Sequence, residues 1–411
     1  MTGASDDDPS GIATYAQAGA QRRYSLLWTA LLTLRLMAAV QEICDRTALA
    51  TGKSLGALAV QRFPRLRAVL SVLLGALIVA NLLNITADVV AVGEGMHLLH
   101  LGPTALWALG AGVLISALII AGSFETIARM FKLLAAALLV YVVVLFAAKP
   151  SWREVISHTL IPHISFTKDY MLLLVAVLGT TISPYLFFWQ SAHRVEELRD
   201  EPEGGDRAVA LSHLPTRQAT RKQRTSRFDV FVGMAFSNIV MFSIIVATGA
   251  TIGAHGSVTI TTAAQAAQAL RPVAGGLSET FFALGFIGSG MLAIPVLAGA
   301  GSVGMAGLLH KEWGFSRSPR QAPVFYGLVL LGTLGGTLLT FTGIDPVKLL
   351  VYSALINGLL AAPFLVLVML VSADRETMGD YTNGHAARIL GWATTILMAT
   401  AAIAYLYLTY G

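Results

Sequence analysis

The chain has 411 residues, of which 55% are hydrophobic and only 12% are charged, and its mean hydropathy is +0.69. Soluble domains contain about a quarter charged residues, so this composition excludes an ordinary soluble protein and predicts one that lies in a lipid bilayer. The formal net charge is +5. In a membrane protein the side of the bilayer on which the basic residues lie matters more than this total, so the charge does not indicate a nucleic-acid partner and we expect none.

Apolar runs of about 20 residues, the length that crosses a bilayer core, follow one another along the chain. A β-barrel would show segments of about ten residues with alternating hydropathy, so we predict an all-α integral membrane protein. Ten full spans are expected, with a shorter apolar fragment at 9–20 ahead of them: 25–45, 68–93, 104–122, 127–147, 169–191, 229–252, 278–305, 322–342, 346–372 and 388–410.

The basic residues are distributed unevenly between the two sides of these spans. With the fragment at 9–20 leading outward, nineteen Lys and Arg residues fall in loops on one side and seven on the other. The positive-inside rule makes the basic side cytoplasmic and leaves the carboxy terminus outside, as expected in a bacterial cytoplasmic (inner) membrane. The longest loop, 194–227, is polar, contains Gly and Pro, and is basic at its end, so we predict a flexible cytoplasmic segment.

The first element begins with the acidic stretch "DDDPSG" directly before the apolar fragment. If residues 9–20 are the outer half of a broken helix, Asp8 lies near mid-membrane and an inner half should precede it. Only seven residues do so, about 10 Å of helix at 1.5 Å per residue. We therefore expect either a true start upstream of Met1, with half of the first helix missing here, or a relative whose inner gate stands open.

The second span carries several charges. Glu42, Asp45 and Arg46 lie within one helical turn of one another, which favours local ion pairing near the cytoplasmic interface over contact with a substrate. Arg35 lies deeper, where an unpaired arginine costs at least about 2.5 kcal/mol on insertion scales, and the sequence does not identify its partner. The single cysteine, Cys44, excludes a disulfide framework and is expected to pack in the interior.

The sixth span is interrupted at its middle. In "LGTTISPYLFFW" the residues Thr180, Ser183 and Pro184 break an apolar run, and proline leaves a carbonyl one turn earlier without its donor. In lipid such a carbonyl needs a partner. A cation is one such partner, and Asp8 would supply a formal negative charge. Either break alone is also explained by a proline kink satisfied by hydroxyl groups.

These stretches resemble the NRAMP divalent-metal transporters over nearly the whole chain. The resemblance rests on "DPSGIATYAQAG", "YSLLWTALLTLRLMAAVQEI", "FETIARMFKLLAAALLVYVVVLFAA" and the Pro-broken sixth helix. It implies one domain with a LeuT-type fold of two inverted five-helix repeats plus an eleventh helix. The repeats would cover about 1–148 and 169–372, and the extra helix 388–410. It also implies import of a divalent metal, commonly manganese or iron, together with protons, with no resident cofactor.

The sequence departs from the family pattern at both breaks. Typical members have Asp-Pro-Gly-Asn at the first break and Met-Pro-His at the second, whereas this chain has "DPSG" and "SPY". A thioether favours softer transition metals, and its replacement by Ser183 leaves only oxygen ligands. Oxygen sites suit Mg²⁺, Mn²⁺ or Ca²⁺, so the sequence favours a hard divalent cation.

The resemblance gives a ligand hypothesis for that cation. Asp8 would be the charged ligand, Ser183 would offer its hydroxyl, and backbone carbonyls near Gly11 and Thr180 would complete the set. Asn357, in "YSALINGLLAAP", could add an amide oxygen, although an interhelical hydrogen bond explains a membrane asparagine equally well. Asn238 is a weaker candidate of the same kind.

Proton coupling is where the departure from the family is largest. Asp88 matches the family's relay aspartate on the third helix, but the acidic position one turn later is Ala91, and Tyr185 replaces the histidine. Tyrosine, with a reference pKa of about 10, does not exchange protons readily near neutrality. We therefore predict weak or absent proton coupling.

Three other functions, namely an organic-solute symporter, a channel and an enzyme, fit the sequence less well than metal transport. An ion-coupled symporter of an organic solute could use the same fold. Sites for a substrate carboxylate use helix amino termini and do not place an anion in the first break, although an amine substrate would also suit Asp8. A channel would need charged rings or a filter. The nine histidines lack zinc-type spacing, so we do not expect an enzyme.

Overall fold

The computed structural model describes residues 6–121, 134–136, 138–201, 207–260, 263–268, 278–342 and 345–410, and the regular elements within these ranges are all helical. In chain order the α-helices are α1 (Pro9–Arg22), α2 (Trp28–Thr51), α3 (Leu55–Arg62), α4 (Arg67–Leu98), α5 (Thr104–Ala121), α6 (Leu139–Ala147), α7 (Trp152–Leu160), α8 (Lys168–Thr181), α9 (Pro184–Asp200), α10 (Thr216–Ala250), α11 (Ala263–Gln268), α12 (Ser278–Leu308), α13 (Pro323–Leu339), α14 (Pro346–Ser372), α15 (Arg375–Met378) and α16 (His385–Tyr410).

Within the described ranges, seven helical segments are long and apolar enough to cross a membrane, and an eighth is added if the bent pair around α6 and α7 is one span. This confirms the all-α membrane class. The predicted span 322–342 corresponds to α13, an apolar helix that is only 17 residues long. The predicted span 25–45 corresponds to α2, which carries four charged residues. Part of the span predicted at 127–147, namely 127–133 and 137, lies outside the described residues.

The centre of the bundle is formed by α1 and by the pair α8 and α9. In the apolar 18-residue stretch of α8 and α9, 94% of the residues are buried, against 33% in α5 and 39% in α16. All residues from Pro9 to Ala20 in α1 are buried as well. These differences place α5 and α16 at the periphery, facing lipid, and the two elements with the sequence breaks in the interior.

Close helix crossings depend on glycine. A Cβ on Gly179 of α8 would overlap the backbone of Ala354 and Gly358 on α14, and a Cβ on Gly358 would lie too close to the Val175 carbonyl. Small residues allow such close approach between membrane helices, where van der Waals packing is the main attraction. The crossing fixes α14 beside the carboxyl end of α8, next to the break.

The two ends of the bundle are tied by different segments. At one end Arg62, the last residue of α3, pairs at 3.4 Å with Asp374, which lies just before α15. At the other end Arg23 pairs with Glu154 of α7 at 2.9 Å, and the Val258 N–H donates to a carbonyl of α1 at 3.2 Å. The segments at the first end are those predicted to be cytoplasmic, and those at the second end are those predicted to be outside.

The prediction of a flexible loop over 194–227 is wrong at both of its ends. Helix α9 continues through 194–200, and α10 already includes 216–227. Arg199 donates to the Trp313 carbonyl at 2.9 Å, Lys222 pairs with Glu201, and Leu211 is fully buried. Arg199 and Lys222 thus have partners in the protein, so the polarity of this segment does not by itself indicate a solvated loop. Residues 202–206 lie outside the described ranges.

Candidate cation site

The Asp8 carboxylate lies at the start of α1 and caps that helix. Its Oδ1 accepts from the Gly11 N–H at 2.7 Å and from the Ser10 hydroxyl at 2.6 Å, and the residue is only 1% exposed. A capping carboxylate satisfies backbone donors that the first turn leaves free, and it is stabilised by the positive end of the helix dipole. Asp8 is therefore a buried carboxyl group with a fixed orientation.

The predicted break in the sixth span is present. Helix α8 ends at Thr181 and α9 begins at Pro184. The Ser183 hydroxyl donates to the carbonyls of Gly179 at 2.7 Å and Thr180 at 3.0 Å, which are among the acceptors that a helix end leaves unsatisfied. Ser183 thus stabilises the broken end of α8, while its oxygen keeps lone pairs that could still coordinate a cation.

Helices α1 and α8 are joined next to this break. Thr180 Oγ1 lies 3.0 Å from the Val177 carbonyl and 3.1 Å from the Tyr15 hydroxyl of α1. Gly11 lies in the first turn of α1, where its N–H faces Asp8. Its carbonyl points along the helix axis toward the carboxyl end. A Gly11 carbonyl ligand would therefore require α1 to unwind further than it does here.

Asn357 and Asp88 are both buried and have no hydrogen-bond partner within the described residues. Asn357 is 1% exposed, Asp88 is 0% exposed, and neither the amide atoms nor the carboxylate oxygens are satisfied. Asn357 adjoins Gly358 at the crossing with α8. Asp88 on α4 lies near Asp8, and a Cβ on Gly290 of α12 would lie 2.9 Å from the Asp88 carbonyl oxygen and 3.5 Å from the Pro9 ring.

The structure therefore brings together four of the predicted features, which are the start of α1, the break after α8, the centre of α14 and Asp88 on α4. Among the described residues, no group of three or more His, Cys, Asp or Glu side chains is arranged to hold a metal. A cation site here would have to combine one or two carboxylates with hydroxyl, amide and backbone oxygens.

Several buried polar residues near these elements were missed. Asp6 and Asp7, which directly precede Asp8, are fully buried and both accept from the Ser237 hydroxyl of α10, at 2.9 and 3.1 Å. Asn84 was also missed and is buried with both amide atoms unsatisfied, as is the hydroxyl of Tyr185, which the sequence had placed at the second break. Asn84 could have been found, because it lies one helical turn before Asp88 in an otherwise apolar run.

The charges of the second span form the expected local pair and two unexpected long-range pairs, one of which joins Glu42 to Arg227 of α10 at 2.9 Å. Glu42 pairs with Arg46 at 3.3 Å, as predicted. Asp45 instead accepts from Gln190 and Arg194 of α9, each at 2.8 Å, and is fully buried. Asp45 therefore links α2 to α9 and does not take part in a purely local cluster.

The remaining candidates have ordinary structural roles. The Asn238 amide and the Thr33 hydroxyl are hydrogen-bonded at 3.0 Å, which is the interhelical contact weighed against a ligand role. Cys44 is buried. Arg35 is exposed on the surface of α2 and has no ion pair within the described residues, so its long side chain is free to extend toward polar surroundings.

Comparison with known proteins identifies the family to which the chain belongs. A family model described as natural resistance-associated macrophage protein-like matches residues 1–408. The chain is 25% identical over 401 residues to "Divalent metal cation transporter MntH" of Klebsiella pneumoniae (strain 342), covering 96% of this chain and 89% of that protein. It is 27% identical over 409 residues to the protein of the same name from Mycobacterium tuberculosis, covering 98% and 88%.

Two groups of solved structures are similar. A crystal structure of the Eremococcus coleocola manganese transporter matches with a TM-score of 0.76 at 17% identity, covering 99% of this chain and 84% of that one. A structure of Mhp1, a nucleobase-cation-symport-1 family transporter, matches with a TM-score of 0.54 at 16% identity, covering 99% and 90%. Both neighbours have the LeuT fold, and the predicted LeuT-type fold is confirmed.

Proposed function

The chain belongs to the Nramp family, and on that premise we propose that it carries divalent metal cations across the membrane with Asp8 as the charged ligand. Members of the family are transporters and this chain is not an enzyme, in agreement with the sequence prediction. Its relatives of Klebsiella and Mycobacterium are named divalent metal cation transporters.

The observation that carries this proposal is the position of Asp8. A buried carboxylate in a membrane protein is expensive unless it serves a function or has a partner. Asp8 lies at the start of the central helix α1, beside the break between α8 and α9, and is 1% exposed. A cation held there would offset the buried charge. The oxygens of Ser183 and Asn357 and the Thr180 carbonyl are the proposed further ligands, and the Gly11 carbonyl is proposed to join them when α1 unwinds further at its start.

We propose a preference for hard cations, with Mg²⁺ and Mn²⁺ the leading candidates, because every proposed ligand atom is an oxygen. Mg²⁺ keeps several waters and needs only one or two carboxylates. The side chains at Ser10, Gly11, Thr180 and Ser183 are small, which suits a partly hydrated ion, and Fe²⁺ fits less well without a softer ligand.

Metal uptake into proteoliposomes tests this preference. Mn²⁺ uptake should be inhibited by Mg²⁺ at concentrations comparable to those at which Mg²⁺ itself is taken up. Competition by Ca²⁺ measures the selectivity against a larger hard cation, and competition by Fe²⁺ measures the selectivity against a softer one. Uptake of Mn²⁺ or Fe²⁺ that Mg²⁺ does not inhibit would contradict the hard-ion preference and leave divalent transport intact.

We also propose alternating access around this site. A cavity of about 550 Å³ opens at the end of the bundle predicted to be outside, and Gln17, Arg22 and Asp169 contribute to its lining. Asp8 does not line this cavity. It lies nine residues before Gln17 on the same helix, about 14 Å away at 1.5 Å per residue. Substrate access from the outside would therefore need α1 and α8 to move apart.

Proton coupling is proposed to be weak or absent. Ala91 is buried on α4 where an acidic residue would be needed, and Tyr185 stands at the second break. Liposomes that take up metal should therefore show little internal acidification. Robust acidification that disappears in Asp88→Asn would contradict the proposal.

The proposed location is the cytoplasmic membrane of a bacterium, with the carboxy terminus outside. It is supported by the excess of Lys and Arg in the loops around α3, α9, α10 and α15. Anionic headgroups of the bilayer are the expected lipid contacts of these basic loops.

A further inference from the structure

Three polar side chains form a stripe along one face of α4. Asn81, Asn84 and Asp88 are three and four residues apart, and side chains at these spacings are neighbours on a helix surface. Their exposures are 2%, 0% and 0%. In a helix with a mean hydropathy of 2.3 in its apolar part, such a stripe in the interior is costly without partners.

The acceptors of this stripe are unsatisfied. Both carboxylate oxygens of Asp88, both amide atoms of Asn84 and Oδ1 of Asn81 have no hydrogen-bond partner within the described residues. Buried polar groups are almost always hydrogen-bonded, and each unsatisfied one costs about 1–3 kcal/mol. Four oxygens and only one donor group, the Asn84 amide, are available, so the stripe cannot satisfy itself.

The helix that packs against the stripe supplies no charged partner. Helix α12 accepts from Asn81 Nδ2 through the Leu297 carbonyl at 2.9 Å, which fixes that amide and directs its oxygen elsewhere. Gly290 of α12 lies beside the Asp88 carbonyl. Asp8, the carboxylate that lies near Asp88, has a charge of the same sign and cannot neutralise it. Within the described residues, Asp88 takes part in no ion pair.

This combination points to a bound cation. Helix side chains lean toward the amino-terminal end of their helix, so the Asp88 carboxylate leans toward Asn84. Oxygen ligands of this kind suit hard cations. A single carboxylate neutralises one positive charge, and a monovalent ion would leave no net charge in the low-dielectric interior, whereas a divalent ion would.

We propose that Asp88 and Asn84 form a second cation site, separate from Asp8, that binds a monovalent hard cation such as Na⁺. Asn81 is the next acceptor along α4, about 10 Å from Asp88 along the helix axis, and continues the polar path toward the proposed cytoplasmic end. The test of this site does not depend on which metal is transported, because Na⁺ binding is measured without transport.

The test is a Na⁺ titration of the purified full-length protein in detergent, without divalent metal, with choline replacing Na⁺ at constant ionic strength. A cation that binds only the folded state raises the thermal unfolding midpoint in a saturable way. We expect such a rise for the unaltered chain, and at least a tenfold higher Na⁺ requirement in Asp88→Asn and Asn84→Leu. Asn238→Leu, a buried amide outside the stripe, should keep the Na⁺ response.

Two results would overturn the site. One is a midpoint in the unaltered chain that depends on pH but is the same in Na⁺ and in choline, since a proton on Asp88 would then explain its burial. The other is an unchanged Na⁺ response in Asn84→Leu. If the variants do not fold, the titration of the unaltered chain still decides between Na⁺ and a proton. Failure of metal uptake in liposomes would contradict the proposed function and leave this site standing.

Discussion

Ser183 combines a structural role with the proposed chemical one. Its hydroxyl satisfies two carbonyls at the end of α8 and still presents lone pairs. The sequence indicated the residue because it precedes a proline within an apolar run. The capping of Gly179 and Thr180 could not be predicted, since it depends on the path of the backbone after Thr181.

Ser183→Met should shift the selectivity of uptake toward softer cations. A thioether favours softer transition metals over Mg²⁺, so the ratio of Cd²⁺ to Mg²⁺ uptake should rise at least tenfold, a change of about 1.4 kcal/mol. Ser183→Ala is the control, because it removes the hydroxyl without adding sulfur and should not raise that ratio. An equal ratio in both variants would mean that position 183 does not contact the ion.

Asp45 is a buried carboxylate with three hydrogen-bond donors on two other helices. It accepts from Gln190 and Arg194, and also from Ser226 of α10. Removal of one partner of a buried pair costs about 3–5 kcal/mol, so Asp45→Asn should lower the free energy of unfolding in detergent by about 3 kcal/mol.

The matched control for Asp45 is Glu154→Gln. The Arg23–Glu154 pair is 49% and 43% exposed, and exposed pairs contribute no more than about 1 kcal/mol. A loss in Asp45→Asn no larger than that in Glu154→Gln would show that the link between α2, α9 and α10 contributes little to stability.

At the scale of elements, the crossing of α8 and α14 determines where the break lies relative to Asn357. The crossing requires glycine on both helices, because a Cβ on either residue would meet backbone atoms. The sequence predicted both helices and the break, since apolar length and proline are local signals. Which helices touch is not local, so the crossing could not be predicted.

Gly179→Ala should destabilise the protein and impair transport, because the added Cβ would overlap backbone atoms of α14, which cannot move away as a side chain can by changing its rotamer. Overpacking of this kind costs about 1–3 kcal/mol. Gly110→Ala in α5 is the control, since a Cβ there meets nothing within 4 Å and alanine favours a helix by up to about 1 kcal/mol. Equal unfolding midpoints for the two variants would contradict the close crossing.

The segment 194–227 shows that composition alone does not distinguish a polar helix from a loop. Its polar residues predicted a loop, yet most of the described part is helix, because charged side chains there pair across helices and a few apolar ones are buried. Within membrane spans the apolar pattern predicted the helices well. Outside the bilayer the same pattern is weaker, and tertiary contacts decide where a helix ends.

At the scale of the whole molecule, composition predicted a helical membrane protein, and the resemblance to the NRAMP transporters implied the LeuT fold. Composition could not reveal the polar interior. Asp6, Asp7 and Asn84 are buried only because α1, α4 and α10 come together, and no periodicity along the chain encodes that meeting. Of the candidate site, the sequence predicted Asp8, the break, Asn357 and Asp88, but not the buried Asp6, Asp7 and Asn84 beside them.

Orientation in the membrane can be tested with the single cysteine. Cys44 is buried, so Cys44→Ala should give a usable background for new cysteines at Tyr410 and Lys53. In sealed cells or oriented vesicles, a membrane-impermeant maleimide should label Tyr410→Cys from outside and Lys53→Cys only after the membrane is opened. Labelling of both positions from the same side would contradict the proposed topology.

The most direct test of the central claim is divalent metal uptake into proteoliposomes by Asp8→Ala. Asp380→Ala is the control, because Asp380 is an exposed aspartate at the other end of the sequence. Both variants should elute as single species in size-exclusion chromatography. We predict that Asp8→Ala lowers Mn²⁺ and Mg²⁺ uptake at least tenfold while Asp380→Ala matches the unaltered chain. More than half of the original uptake in a folded Asp8→Ala protein would contradict the assignment of Asp8 as the charged ligand.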